Sequence, residues 1–372
     1  MKNFLPKFLA CFFALSCASF AKDSTQFPNI SGQVLFELKT DRILSTNAKG
    51  VSPNNAYINI EPDFSLNMDN NWSVKTGWRI YPTNTITTRD PVNPQRTRTF
   101  LSAEIGFSPA DTSLIIEELK LQFDNDDMKF FVGKFDPAFG KAYTRSKKIG
   151  VFVADVTRDY ELREKMGAGI AALLENSKVT FNTFFSDTTG LSGAINGRNT
   201  ESRNDGLASN TGTLSSYTLT MEGDKFFGTD NWFYNIGYRS LSIKTSLPNR
   251  ARDTGYVFGT EYLMKFGSNT SVTPFAEITK INNFTGATGR NATYATFALI
   301  GKYSRWTASV SNIFRQISQY QNVDKIHDRQ LQLSVGYKFV NNVSLDVSRA
   351  NIVEGSHSAS LFGVMMSYLY TF

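Results

Sequence analysis

The sequence predicts an all-β fold, a transmembrane antiparallel β-barrel of about 16 strands, and three observations predict it. The chain ends on an alternating aromatic strand, it opens with an export leader, and its length between the two repeats one pattern of long alternating segments and polar turns. In the last segment Phe362, Val364, Met366, Tyr368, Tyr370 and Phe372 share one face, because strand side chains alternate with period two. Gly363, Met365, Ser367, Leu369 and Thr371 share the other. So apolar an edge would aggregate in water, whereas an outer face against lipid, ending in an interfacial aromatic belt, uses it.

At the other end Lys2 and Lys7 precede an apolar stretch, Phe8 to Leu15, and Ser19-Phe20-Ala21 is a small-x-small cleavage site. Residues 1–21 are therefore assigned as a signal peptide and 22–372 as the barrel domain. The stretch is shorter than the ~20 residues of a spanning helix. Leu15-Ser16-Cys17 is loosely similar to a lipobox, with Ala14 where such a box usually carries leucine; cleavage after Ala21 is the preferred reading. Both cysteines, Cys11 and Cys17, then leave with the leader, so the mature chain is expected to have no disulfide and no cysteine metal site.

Composition agrees. Apolar residues make up 41% and mean hydropathy is −0.26, as expected when lipid-facing and lumen-facing residues alternate. The 31 phenylalanines and 15 tyrosines suit a lipid-facing surface with aromatic girdles. Net charge is +6, two units of it in the leader lysines, and acids and bases are interspersed, which is no nucleic-acid footprint.

Along the chain, Trp72, Val74, Thr76, Trp78 and Ile80 oppose Ser73, Lys75, Gly77 and Arg79. Leu331, Leu333, Val335, Tyr337 and Phe339 oppose Gln330, Gln332, Ser334, Gly336 and Lys338. Short turns such as Asp69-Asn70-Asn71 and Val340-Asn341-Asn342 interleave with longer polar segments, among them 81–97, 136–165 and 187–212. A first count gives about 17 candidate strands, but a single-chain barrel with both ends periplasmic needs an even number. Working back from Phe372, the segment 127–136 must run outward and 112–124 inward, while 71–81 also runs outward. Everything from Pro82 to Asp111 is then one external excursion, and the candidate at 98–107 becomes loop, as a hairpin above the membrane. About 16 strands remain, enough to enclose an aqueous channel; a missed turn elsewhere would make it 18. Parity puts Lys75, Arg79, Lys120, Lys134, Arg239, Arg315 and Lys338 on the lumen face, with Glu61, Asp63, Glu118, Glu261, Glu277 and Asp346. The same phasing turns Glu117 outward, where it would be better hidden at a subunit contact.

The stretch Phe130-Phe131-Val132-Gly133-Lys134-Phe135-Asp136-Pro137-Ala138-Phe139-Gly140 resembles one seen in Gram-negative outer-membrane porins, where a strand turns into a long inward-folded loop. Asp159 to Gly169 is similar to the return from that loop in alphaproteobacterial-type general porins, and there is a distant similarity to phosphate-selective anion porins. The resemblance implies a constriction loop over about 137–165, and with it a passive diffusion channel for small hydrophilic solutes and ions across the outer membrane. The pore-lining candidates are Lys134, Lys141, Arg145, Lys147, Lys148, Asp155, Arg158, Asp159 and Glu161, with Lys75, Arg79 and Arg239 on the wall. A loop carrying both signs sets a transverse field that favours small polar solutes. The resemblance further implies a homotrimer. Phe372 matches the signal read by the barrel-assembly machinery, and outer-membrane lipid and lipopolysaccharide are the surroundings.

Catalytic, cofactor and metal sites are not expected. His327 and His357 are the two histidines, and neither has a carboxylate or amide partner at suggestive spacing. The alternative function is a barrel-scaffold adhesin or receptor acting through loops 82–111 and 187–212. Solute identity and the sign of ion preference stay open.

Overall fold

The computed structural model describes residues 27–47, 54–82, 87–89, 97–99, 105–106, 112–146, 151–152, 155–195, 200–201, 206–244, 248–318, 325–355 and 357–372. The leader, Lys147 and Lys148 lie outside them, as does the side chain of Asp155. Within them sixteen strands form one antiparallel sheet closed on itself. They are β1 (Asn29–Thr46), β2 (Asn54–Asn67), β3 (Trp72–Pro82), β4 (Thr112–Asp124), β5 (Met128–Phe135), β6 (Lys165–Leu174), β7 (Ser177–Ser186) and β8 (Ser216–Phe226). The rest are β9 (Thr229–Leu241), β10 (Asp253–Tyr262, resuming as Met264–Phe266), β11 (Thr270–Asn282), β12 (Ala292–Tyr303), β13 (Trp306–Ile317), β14 (Ile326–Lys338), β15 (Val343–Glu354) and β16 (His357–Thr371).

The terminal strand closes the barrel. β16 pairs with β1 from Gln33↔Thr371 to Thr46↔Ala359, and Gly32 and Phe372 exchange backbone hydrogen bonds of 3.0 and 3.1 Å. This closure removes the edge that such an apolar strand would otherwise expose. Its two faces separate as the alternation predicts: Phe362 and Met366 are exposed on the outside, Leu361 and Met365 buried inside.

Turn chemistry stops β2. The Asp69 carboxylate accepts from the Asn71 and Trp72 amides at 2.8 and 2.7 Å, closing an Asx-turn. Those two amides hold the exposed Asp69 carboxyl below its ordinary value of 3.8. Beside these turns aromatic pairs mark one rim of the barrel: Trp72 with Phe123, Trp306 with Tyr337 and Phe36 with Tyr368.

Of the candidate at 98–107, the described residues form no full wall strand: Thr97–Thr99 pairs with Thr87–Arg89 in a separate two-stranded ribbon, and Ile105–Gly106 adds a two-residue parallel pairing to Ala56 and Tyr57 of β2.

Glu117 corrects the outward assignment. Opposite Gly77 and Trp78, β4 carries one extra residue: Gly77 faces Glu118, and Trp78 faces Ile116. A bulge of this kind breaks strict alternation. Glu117 therefore turns inward, 3.2 Å from Arg79 and paired with Arg163, and is not available to a subunit contact.

A second departure lies in β5. Gly133 has φ +137°, and a Cβ there would sit 2.4 Å from the Leu119 carbonyl oxygen, so only glycine fits. Two residues on, the chain leaves the wall for the lumen, and the upper edge of β4 loses its neighbour. The loop after β7 covers that edge: Leu114 and Ile195 exchange backbone hydrogen bonds of 3.1 and 2.9 Å.

The principal hydrophobic core lies where segment 136–164 meets the inner wall. Phe139, Tyr160 and Leu162 pack in one cluster with Val257, Phe275 and Tyr294.

Candidate functional site

Segment 136–164 joins β5 to β6 and holds a short helix, α1 (Ala142–Ser146), and a 3-10 turn, Asp155–Asp159. Its base is closed by the Glu164 amide, which donates to the Asp136 carboxylate at 2.7 Å. From there it touches most of the inner wall.

Glu277 of β11 is the main anchor. Its carboxylate accepts from the Lys141 and Ala142 amides at 2.6 and 3.1 Å, from the Tyr160 hydroxyl at 2.8 Å and from Asn235 at 3.2 Å. Gly140 makes this approach possible: its φ is +80°, and a Cβ would lie 3.0 Å from Glu277. Burial, with the Glu277 carboxylate alongside, pushes the Tyr160 hydroxyl well above its ordinary value of 10.0, so it stays a donor at physiological pH.

Two buried arginines grip the return of the segment. Arg239 of β9 binds Asp253 bidentately at 3.0 and 2.9 Å, donates to the Tyr160 carbonyl at 3.0 Å and stacks over Phe139. Arg315 of β13 binds Asp159 and also Asp328 at 2.6 Å, while Tyr294 donates to Asp159 at 3.2 Å. Between these grips the Val151 amide donates to Ser348 of β15 at 2.9 Å, and Phe152 packs against Ile43, Ala350 and Leu361.

These contacts sort the predicted site residues. Lys141 pairs with Glu222, which also binds Lys178, and Arg145 pairs with Glu261 at 2.8 Å. Arg158 lies over the Tyr143 ring, and Glu161 is 3.8 Å from Arg163. Arg79 lies between Glu61 and Glu117 at 3.3 and 3.2 Å. Lys75 lines a polar cavity of about 460 Å³ with Gln33, Asp63 and Glu118.

Three expectations need correction. Lys134 is only 1% exposed; it lies between Glu164 and Asp187 at 3.3 and 3.1 Å and donates to the Leu191 carbonyl at 2.6 Å. It ties together the two loops that meet at the gap beside β4 and does not face the bore. Asp159 and Arg239 are likewise buried, as anchors of the crossing segment. Glu222, Asp253, Asp328 and Ser348 were absent from the predicted site. Each lies on an inward position of its strand, but parity says nothing of which inward groups the segment reaches.

The segment thus takes its strongest contacts from the wall β8–β15. On the other arc, β1–β4, Glu37, Glu61, Asp63, Lys75, Arg79, Glu118 and Lys120 stay part-exposed. Acids and bases interleave there, with Lys120 2.9 Å from Glu118. Such an arrangement presents a field of mixed sign.

No protein-family model matches the sequence, and no curated protein matches it. Solved structures do. Salmonella typhi OmpF, in complex with daunomycin, aligns over 92% of this chain and 98% of its own with TM-score 0.60 and 11% identity. The outer-membrane channel DcaP of Acinetobacter baumannii aligns over 92% and 96% with TM-score 0.54 and 12% identity. The trimer form of OmpT, an outer-membrane protein of Vibrio cholerae, aligns over 92% and 98% with TM-score 0.50 and 10% identity. At such identities the likeness establishes one thing, the fold: this chain has the closed antiparallel barrel of these structures.

Proposed function

We propose that the protein is a passive diffusion channel of the porin type in the outer membrane, exported by a leader cleaved after Ala21 and assembled as a homotrimer. The observation that carries the reading is a segment crossing a closed barrel, clamped through Glu277, Arg239 and Arg315, opposite an arc of part-exposed charges. In this reading segment 136–164 is the constriction. Small hydrophilic solutes pass between it and the β1–β4 arc, where Arg79, Arg163, Glu61, Glu117 and Glu161 set a transverse field. Solutes that reorient a dipole or exchange hydrogen bonds with these groups cross readily, and the concentration gradient drives them. No chemistry is required of the protein.

The adhesin alternative loses support at one of its two loops, because 187–195 is spent covering β4 and holding Lys134. Liposome swelling tests the channel reading. Vesicles containing the protein should swell in an isotonic monosaccharide faster than in a tetrasaccharide. No swelling in any sugar above protein-free vesicles contradicts it.

A further inference from the structure

A recess of about 460 Å³ opens in the inner wall of β1–β4, next to the row where Arg79 lies between Glu61 and Glu117. Two rows of inward side chains shape it. Asp63, Gly77 and Glu118 are level on β2, β3 and β4. Two residues nearer the turn at Asp69, Ser65, Lys75 and Lys120 are level on the same strands. One row is acidic and the other basic, about 7 Å apart along the strands.

This sorting by sign works against stability. Lys75 and Lys120 are directly opposite each other, and like charges in that relation repel. Asp63 and Glu118 flank Gly77 from its two sides. Pairing within the recess is also incomplete. Lys120 reaches Glu118 at 2.9 Å, but Lys75 makes no ion pair or side-chain hydrogen bond with a described residue. Gln33 donates to Asp63 Oδ2 at 3.0 Å, and Oδ1 is left over Gly77 with no described donor. Asp63 and Lys75 thus share the recess without pairing to each other. Gly77 supplies the room between the acids. Its φ is not positive, so the backbone does not demand glycine, and a Cβ would stand 3.0 Å from Asp63 Oδ1 and 3.4 Å from Glu118 Cβ.

A solute that completes this arrangement carries both charges. Its ammonium donates to Asp63, beside Glu118, and its carboxylate accepts from Lys75, with charge-assisted hydrogen bonds at both ends. A plain anion would meet the two carboxylates, and a plain cation the two lysines. The volume falls within the ~300–1,000 Å³ of small-molecule sites. Building on the channel proposed above, we infer that Asp63, Gly77, Glu118 and Lys75 form a subsite for zwitterionic solutes of the α-amino acid class. Such a solute is held beside the Arg79 row as it moves along the passage.

Saturation-transfer NMR on the folded, detergent-solubilised protein at neutral pH tests this, with alanine, propionate and ethylamine as probes. Propionate and ethylamine each keep one of alanine's two charges. Alanine should bind saturably and about tenfold or more tightly than either, the size of one lost charge-assisted hydrogen bond. In Lys75→Met the advantage of alanine over ethylamine should vanish, and in Asp63→Asn its advantage over propionate should vanish. Lys338→Gln, inward on β14 and strands away, should bind alanine as the native protein does. Equal binding of the three probes by the native protein overturns the inference, and so does an alanine preference that survives both substitutions. The comparison of probes needs no variant, so it decides the matter even if a variant fails to fold. Channel recordings in salt on the same samples keep this subsite apart from the channel itself. Conductance without preferential alanine binding contradicts the subsite alone, whereas alanine binding without conductance supports the site and contradicts the channel.

Discussion

Replacing Glu277 with alanine releases the crossing segment from the wall at its main anchor and enlarges the bore. Four donors converge on that carboxylate: two amides of the segment, the Tyr160 hydroxyl and Asn235. Hydrogen bonds to a charged group contribute ~1.5–3 kcal/mol each, and breaking such a cluster leaves buried donors unpaired. The contributions overlap, so the expected net loss at this end of the segment is about 3–5 kcal/mol, the range for removing one partner of a buried charged group. In the wall the Asn235 side chain of β9 also loses a partner, but the ladder bonds of Glu277 to β10 and β12 are made by the backbone and stay. The barrel should therefore assemble, and its single-channel conductance should rise with larger current fluctuations than the native channel shows. Glu277→Gln keeps one acceptor oxygen and should fall between the two. Unchanged conductance and noise in Glu277→Ala would show that the segment does not limit the bore.

The second large effect is expected at Arg315. Its guanidinium is the shared cation for Asp159 and Asp328, with Glu354 at 3.5 Å. An Arg315→Met substitution leaves buried carboxylates without a counter-charge, which costs about 3–5 kcal/mol. The heat-induced shift between folded and unfolded bands on a gel should move to lower temperature. Adding Asp159→Asn to Arg315→Met removes one stranded charge and should recover part of that loss, the signature of two groups acting as a pair. Additive damage from the two changes would mean that the contact contributes little. Arg239 offers the internal comparison, since its bidentate partner Asp253 is a wall residue and its hold on the segment is one hydrogen bond to the Tyr160 carbonyl and the stack over Phe139.

The wall was legible for a simple reason: period-two alternation is a local property, and Phe372 gives it a starting direction. Counting back from that residue removes 98–107 from the wall, and the ribbon at Thr87–Arg89 and Thr97–Thr99 agrees. Parity fails where backbone geometry interrupts it. The extra residue in β4 turns Glu117 inward, where the doublets Ile115-Ile116 and Glu117-Glu118 interrupt the alternation. Gly133 was a visible flag, because glycine inside a strand often signals a bulge or a close backbone approach.

The site was legible in part. Segment 136–164 stands out by its length, its charges and its Gly-Lys-Phe approach, but its partners belong to strands from 46 to nearly 200 residues away. Glu277 and Arg315 were placed on the correct face, yet facing the lumen and gripping the segment are different properties. Which inward charge becomes an anchor depends on where the crossing chain descends, and no local pattern encodes that. Lys134 shows the same limit in reverse. Its charge and position suggest the bore, while the departure of β5 from the wall encloses it between Glu164 and Asp187.

Single-channel recording of the native protein in a planar bilayer, in symmetric and then asymmetric salt, tests the central claim most directly. A barrel with a water-filled passage between segment 136–164 and the β1–β4 arc should give discrete, ohmic conductance steps and a measurable reversal potential. Its sign reports which charges of that arc dominate the passage. Insertion of correctly folded, heat-modifiable protein without any conductance steps would contradict the claim, because it would mean that the crossing segment closes the barrel.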